Sequence, residues 1–327
     1  MTKKTVSLDM GNGGREMQEL LDSFLGKFNR SNWKNSQDDA ATLNLPSGEN
    51  LVFTTDSFVV SPFKFPGGNI GDLAFSGTVN DIVVMGADPL GISLSLIIEE
   101  GFPIEDLEEI IETISCLSRT SGIGIATGDT KVVEKGSLDK IVINTSGVGI
   151  TKRVLNEKIE PGDKVIVSGS IAEHAVALLS QRFDFQTSVT TDSKPLNEEM
   201  KEIRDLIKLA KDPTRGGIAS TLNEIAINNK VEIIIEEKEI PIQKEVKAAC
   251  KLLGIEAYDL ANEGRLICIV KKENANQVLE KLRTFNSSAQ IIGEVSAPRE
   301  KGIVLLKTDL GTRILSIPSG KIVPRIC

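Results

Sequence analysis

Histidine is almost missing from this chain: there is one, His174, in 327 residues. That excludes a metal site built from several imidazoles. Cysteine is sparse too. Cys116, Cys250, Cys268 and Cys327 include no CxxC pair. Cys116 and Cys250 fall in helical patterns and Cys268 in the apolar run 266–270, so all three are expected to be buried and inert. Thiols without partners fit a reducing cytoplasm. No apolar run approaches the roughly 18 residues of a membrane helix. Met1-Thr2-Lys3-Lys4 leads to Asp9 and glycines rather than an apolar core, which excludes a signal peptide. No basic stripe with interleaved aromatics is present, so nucleic acid is not an expected partner. The 38 basic and 46 acidic residues leave a net charge of −8. Acidity does not oppose a nucleotide, because Mg²⁺ can bridge carboxylates and phosphates. Neither GxxxxGK[ST] nor a GxGxxG after a strand occurs, so P-loop and Rossmann sites are not supported.

What is present is a mixed pattern. Met17, Leu20, Leu21, Phe24, Leu25 and Phe28 recur at helical spacing. Strand-like runs fall at 51–55, 92–99, 123–127 and 140–150, with helices near 71–86 and 104–117, the latter closed by Gly122. Polar 151–158 and the turn Pro161-Gly162-Asp163 mark a break. Strand 164–168 opens a second block. Its helices are expected at 172–183, 197–210, 216–229, 243–253 and 274–284, its strands at 231–236, 265–271, 290–295 and 302–306. Without regular βαβ alternation the fold class reads as α+β. Residues 311–327 lack a helical period, and Pro318 and Pro324 favour an extended tail. That tail ends on a thiol, Cys327, an odd residue for a frayed end unless it acts.

Carboxylates cluster at turns beside small residues: Asp38-Asp39-Ala40-Ala41, Thr55-Asp56-Ser57, Gly71-Asp72, Asn80-Asp81 and Gly128-Asp129-Thr130-Lys131. Any one of them suits a cap or turn. Together, beside the glycine-rich Gly11-Asn12-Gly13-Gly14 and Pro66-Gly67-Gly68-Asn69-Ile70-Gly71, they point to a metal–phosphate site. Asp212-Pro213-Thr214-Arg215-Gly216-Gly217 opens a helix and reads equally as an anion site or a plain cap. Glu263, in Ala261-Asn262-Glu263-Gly264-Arg265, is a candidate base or an exposed turn glutamate. His174 reads as a packing or capping residue ahead of a catalytic one.

These stretches resemble the superfamily of aminoimidazole ribonucleotide synthetase, thiamine-monophosphate kinase and selenophosphate synthetase, over nearly the whole chain. Within it they look like the HypE family of hydrogenase maturation proteins, whose mark is the ending Pro324-Arg325-Ile326-Cys327. The resemblance implies a two-domain PurM/AIR synthetase-like fold with a flexible C-terminal tail. Residues 1–37 would be an N-terminal segment with a helix, 38–155 an ATP-binding and dimerisation domain, 156–310 a second α+β domain, and 311–327 a mobile tail. It implies ATP and Mg²⁺ as cofactors, a homodimer, HypF as carbamoyl donor and the HypC–HypD complex as cyanide acceptor. The implied reaction dehydrates an S-carboxamide on Cys327 to an S-cyanide. Metal and ATP roles are carried onto Asp39, Asp56, Asp81 and Asp129. Asp72, Asn80, Thr130 and Asp212 are further nucleotide-site candidates. Glu263 is the candidate for proton removal, and Lys131 orients or stabilises charge near the carboxamide. Cys327 needs a cation to favour its thiolate. Arg325 is one candidate, unless its side chain binds the body or a partner. Two departures stand out. Met10 replaces the histidine usual before the first glycine-rich loop, and Ala172-Glu173-His174-Ala175 replaces a Gly-Asp-His-Gly turn.

Overall fold

The computed structural model describes residues 5–11, 14–319, 323 and 325–327. Asn12 and Gly13 of the first glycine-rich loop, and Pro324 of the tail, lie outside the described residues. The first half opens with helix α1 (Arg15–Leu25). Strands β1 (Ala41–Asn44) and β2 (Asn50–Phe58) follow, then the short hairpin β3 (Lys64–Phe65) and β4 (Gly68–Asn69). Helix α2 (Ile70–Val84) leads to β5 (Asp88–Glu99), helix α3 (Ile104–Ser121), β6 (Ile125–Val133) and β7 (Ile141–Thr151). One sheet runs β1-β2-β7-β5-β6, antiparallel except for the parallel β5–β6 pair. Helix α2 packs on β2 and β7. It is mostly apolar and buried almost throughout, as a central helix must be.

The second half contains β8 (Lys164–Val167), α4 (Glu173–Arg182), α5 (Asn197–Ile203), β9 (Ile207–Lys211) and α6 (Gly217–Asn229). It continues with β10 (Val231–Glu236), α7 (Lys244–Leu253), β11 (Ile267–Val270) and α8 (Ala275–Phe285). Strands β12 (Gln290–Pro298), β13 (Ile303–Thr308) and β14 (Gly311–Ile314) close it. Its seven-stranded sheet runs β14-β13-β10-β12-β8-β11-β9. The fold is α+β, with helices, two large sheets and the small β3–β4 hairpin, and no βαβ regularity. One contiguous apolar core runs from Phe58 through both halves to Leu315 and takes in Ile326.

Three local expectations fail. The helix expected over 197–210 stops at Ile203, and 207–211 is strand β9, buried at every position. Cys116 is exposed on α3, not buried. Residues 311–314, expected in the tail, form β14, which folds back on β13 around Asp309-Leu310 with Gly311 at φ +140°.

Candidate functional site

Three carboxylates, Asp39, Asp56 and Asp81, come from neighbouring segments of the first half. Thr54 on β2 places its hydroxyl 2.6 Å from Asp81 Oδ2 on α2 and 3.2 Å from the Asp39 carbonyl. Asp56 follows two residues on along β2, on the same face of the strand. The second half contributes the loop after β9. Buried Lys211 reaches Glu224 at 2.8 Å, Asp39 at 3.3 Å and Asp38 at 3.5 Å. Asp212 comes next. Arg215 then precedes α6, whose start needs glycine. Gly217 has φ +57°, and a Cβ there would sit 2.4 Å from the Tyr258 carbonyl.

Glu263 lies on a loop that the surroundings hold from several sides. Asp192 accepts the Glu263 and Gly264 N–H groups at 3.3 and 3.4 Å. Arg265 pairs with Glu173 and lies 3.7 Å from Asp192. A Cβ at Gly264 would meet the Asp192 carbonyl at 1.8 Å, so only glycine lets this loop seat. Asn262, fully buried, accepts the Ala172 N–H at 2.7 Å and donates to the Pro213 carbonyl at 3.1 Å. Ala172 itself stands at φ +70°, a conformation that glycine favours.

The electrostatics follow from this convergence. Burial, then Asp212, Asp56 and Asp39, push Asp81 well above the usual carboxylate range. Burial lifts Asp39 to about 6 against the pull of Lys211. Asp212 rises to about 8, from burial and Asp39. Burial raises Asp56 while Arg215 opposes it. Glu263 is pushed far up by burial, Asp192, Asp212 and Asp56. Asp39 Oδ2 and Glu263 Oε1 are buried without a hydrogen-bond partner among the described residues. Orphaned oxygens in a repelling carboxylate cluster are the signature of a site shaped for a cation or a donor-bearing ligand. Among the described residues no three His, Cys, Asp or Glu side chains close on a metal by themselves. Mg²⁺ fits such a site, because it takes carboxylate oxygens and completes its shell with waters and phosphate oxygens.

The tail reaches this cluster within its own chain. Val59 N–H donates to the Cys327 carbonyl at 3.3 Å and Ser61 N–H to the Arg325 carbonyl at 3.2 Å. Burial drives the Cys327 thiol far up. Arg215 pulls it down, while Glu263, Asp56 and Asp212 add to the rise. Arg325 is not the cation facing the thiol. Its guanidinium donates to the Val59 carbonyl at 2.9 Å and pairs with Asp139 at 2.6 Å. Arg215 holds that place, and the sequence had marked it only as part of an anion-binding turn. Lys211 was missed altogether, although a lysine directly before Asp212 was a readable signal.

The other candidates lie elsewhere. Asp72 Oδ2 accepts the Asn69 N–H at 2.8 Å and closes a capping box on α2. Asn80 is spent on backbone. Its amide donates to the Lys194 and Glu263 carbonyls at 3.2 and 3.1 Å and accepts the Leu196 N–H at 2.8 Å. It thus ties the two halves together and steadies the Glu263 loop. Asp56, Thr145, Leu94 and Gly128 form one cross-strand row over β2, β7, β5 and β6. Asp129 and Lys131, one and three residues past Gly128, therefore project from the opposite face, about 14 Å away at three strand spacings. They pair with each other at 2.9 Å and are exposed. Thr130 is exposed on the same edge strand. The fold does not bring these three residues into this chain's own cluster.

The profile of the AIR synthase related protein N-terminal domain matches residues 37–151 and that of the C-terminal domain 160–305. The carbamoyl dehydratase HypE of Rhizobium leguminosarum bv. viciae is 42% identical over 333 residues, spanning 98% of this chain and 95% of the relative. The fold superposes on a chain of a HypE–HypF complex crystal structure with TM-score 0.83 and 39% identity, covering 93% of this chain and 100% of that one. A hydrogenase maturation protein HypE in complex with ATP gives TM-score 0.81 and 38% identity, covering 99% and 100%.

Proposed function

The chain belongs to the HypE carbamoyl dehydratase family, within the AIR synthase related proteins, and on that premise we propose that it converts a carbamoyl group on Cys327 into a cyano group at the expense of ATP. The product supplies the cyanide ligands of the iron in NiFe hydrogenases. The observation that carries this reading is the docked thiol. Cys327 feels Arg215, Glu263, Asp56 and Asp212 at once, so a group carried on its sulfur sits among a cation and carboxylates.

A carboxamide oxygen is a poor leaving group. That oxygen attacks the γ-phosphorus of ATP, a C–O–P bond forms, and the bond from phosphorus to the β,γ-bridging oxygen breaks, releasing ADP. O-phosphorylation acidifies the nitrogen, which gives up one N–H proton to leave an O-phosphoryl imidate. A base then removes the second N–H proton, the C–O bond breaks, phosphate departs and S–C≡N remains. ATP leaves as ADP and phosphate, so the lost water is accounted for. Glu263 is the base: burial and its acidic neighbours make its carboxylate a stronger proton acceptor than an exposed one. The fixed Asn80, Asp192 and Asn262 contacts hold it in place. Arg215 offsets negative charge beside the sulfur. Asp39, Asp56 and Asp81 would hold Mg²⁺ together with phosphate oxygens and waters, and Asp212 completes the nucleotide side. When bound, Mg²⁺ neutralises charge on the transferring phosphoryl group.

HypF delivers the carbamoyl group, and HypC–HypD accept the cyanide for iron. The active form is a homodimer, in which Asp129, Thr130 and Lys131 serve the site of the partner copy, Asp129 toward the metal and Lys131 toward the carboxamide. Intact-mass spectrometry after incubation with HypF, carbamoyl phosphate and ATP is the test. A carbamoyl adduct mapped to Cys327, losing water only with hydrolysable ATP, is expected. An adduct elsewhere, or none, overturns the carrier role.

A further inference from the structure

The tail is gripped by its backbone, and the grip draws on residues outside the carboxylate cluster. His174 is fully buried on α4. Its Nε2 lies 2.8 Å from the Ile326 carbonyl and its Nδ1 2.8 Å from Thr191 Oγ1. A carbonyl only accepts, so Nε2 carries the proton. Nδ1 then accepts the Thr191 hydroxyl proton, while that oxygen accepts the Ser193 N–H at 3.0 Å. The chain of donors runs one way and leaves the imidazole neutral, in accord with a pKa lowered by burial. Phe65 stands edge-on to the ring at 5.2 Å and fixes its plane. At the far end of α4, the Arg182 guanidinium donates to the Ser61 and Arg325 carbonyls. The Ile326 side chain is buried and joins the main apolar core.

The same arrangement contains an opposing force. Arg182 and Arg325 lie close enough that, with burial, the second guanidinium helps lower the first to about 10. Asp139 pairs with Arg325. The docked state is therefore held by directed hydrogen bonds against like-charge repulsion, a balance suited to reversible seating.

We propose that His174 and Arg182 are positioning residues that latch the inward tail through the Ile326 and Arg325 carbonyls and so set how long the Cys327 sulfur stays at the site. The two residues act on main-chain oxygens, so they hold a free thiol and a loaded one alike. The proposal rests on the docking of Cys327 described under Proposed function. Its test needs neither ATP nor a carbamoyl donor, so a missing carbamoyl adduct would sink the carrier reading and leave the latch standing.

The experiment is pulsed iodoacetamide labelling of the full chain, resolved by peptide mass. Exposed Cys116 is the internal reference for reagent, and buried Cys250 and Cys268 report loosening of the fold. His174→Ala is expected to raise Cys327 labelling relative to Cys116 about tenfold, the scale of one lost buried hydrogen bond. His174→Gln keeps an N–H donor and is expected to stay within about threefold of the parent. Arg182→Met is expected to raise labelling as well. An unchanged Cys327 rate in both His174→Ala and Arg182→Met, or His174→Gln as fast as His174→Ala, overturns the latch. Should Cys250 and Cys268 become reactive in these variants, the parent protein decides. Its one histidine gives one pair of imidazole ¹⁵N signals, and truncating the chain to remove residues 325–327, with the carbonyl that Nε2 donates to, must shift them; unmoved signals overturn the proposal.

Discussion

Glu263 is 2% exposed, and one of its carboxylate oxygens has no partner among the described residues. From the sequence it was a turn glutamate or a base. The structure shows why that choice was illegible: the loop is held in the interior by Asp192 and Asn80, which lie far from it in sequence. Glu263→Gln keeps the shape and removes the proton acceptor. The carbamoyl group should still load onto Cys327 at the parental rate. Water loss should slow by about 10²–10⁴-fold, the usual weight of a general base. Intact mass would show the carbamoyl form accumulating. Dehydration at the parental rate would remove Glu263 from the mechanism. Other residues teach the same limit. The type and turn setting of Asp39, Asp56, Asp81 and Asp212 could be read directly, and these residues converge. Asp72 had the same signature and is a helix cap, because a cap and a ligand want the same short carboxylate at the same kind of turn.

Elements with one clear period were the easiest to read. Helix α3 runs from Ile104 to Ser121 and ends at Gly122 with φ +71°, and β10 spans 231–236 as expected. Strand β9 was the failure. Ile207-Lys208-Leu209-Ala210-Lys211 continues a helical pattern on paper. Its lysines are nevertheless buried, paired with Asp163 and with Glu224 and Asp39, of which Asp163 and Asp39 lie far away in sequence. Strand β6 raises a different point. It ends the sheet with a bare edge, and its residues are exposed almost throughout. Unprotected edges ordinarily find a partner. If a second copy supplies Lys131 across such an interface, two defective variants should repair each other. Lys131→Ala and Glu263→Gln, each slow alone, should regain about a quarter of parental dehydration when their subunits are exchanged. Half the dimers are then mixed, and each mixed dimer keeps one intact site. No recovery after confirmed exchange would place Lys131 and Glu263 in the same chain's site or remove the lysine from it.

The candidate site belongs to the molecule as a whole. Asp39, Asp56 and Asp81 come from the first half, Asp212, Arg215 and Glu263 from the second, and Asn80 stitches the two together beside it. In the ligand-free protein the raised carboxylates mean that folding has gathered groups which resist ionising together. A ligand that brings positive charge relieves this, and it can do so only while both halves are in place. Binding should therefore stabilise the chain as one unit. At ligand concentrations about a hundredfold above Kd the linkage is worth about 2.7 kcal/mol, or roughly 5–10 °C in Tm at about 2–4 °C per kcal/mol. ATP with Mg²⁺ should give a shift of that size in differential scanning calorimetry, and ATP with EDTA a clearly smaller one. Asp81→Asn should narrow the difference between the two, because it removes a carboxylate from the centre of the repelling group and from the proposed metal shell. Equal shifts with and without Mg²⁺ in the parent protein would exclude a metal at these aspartates. A shift that survived intact in Asp81→Asn would move the metal to other residues of the cluster.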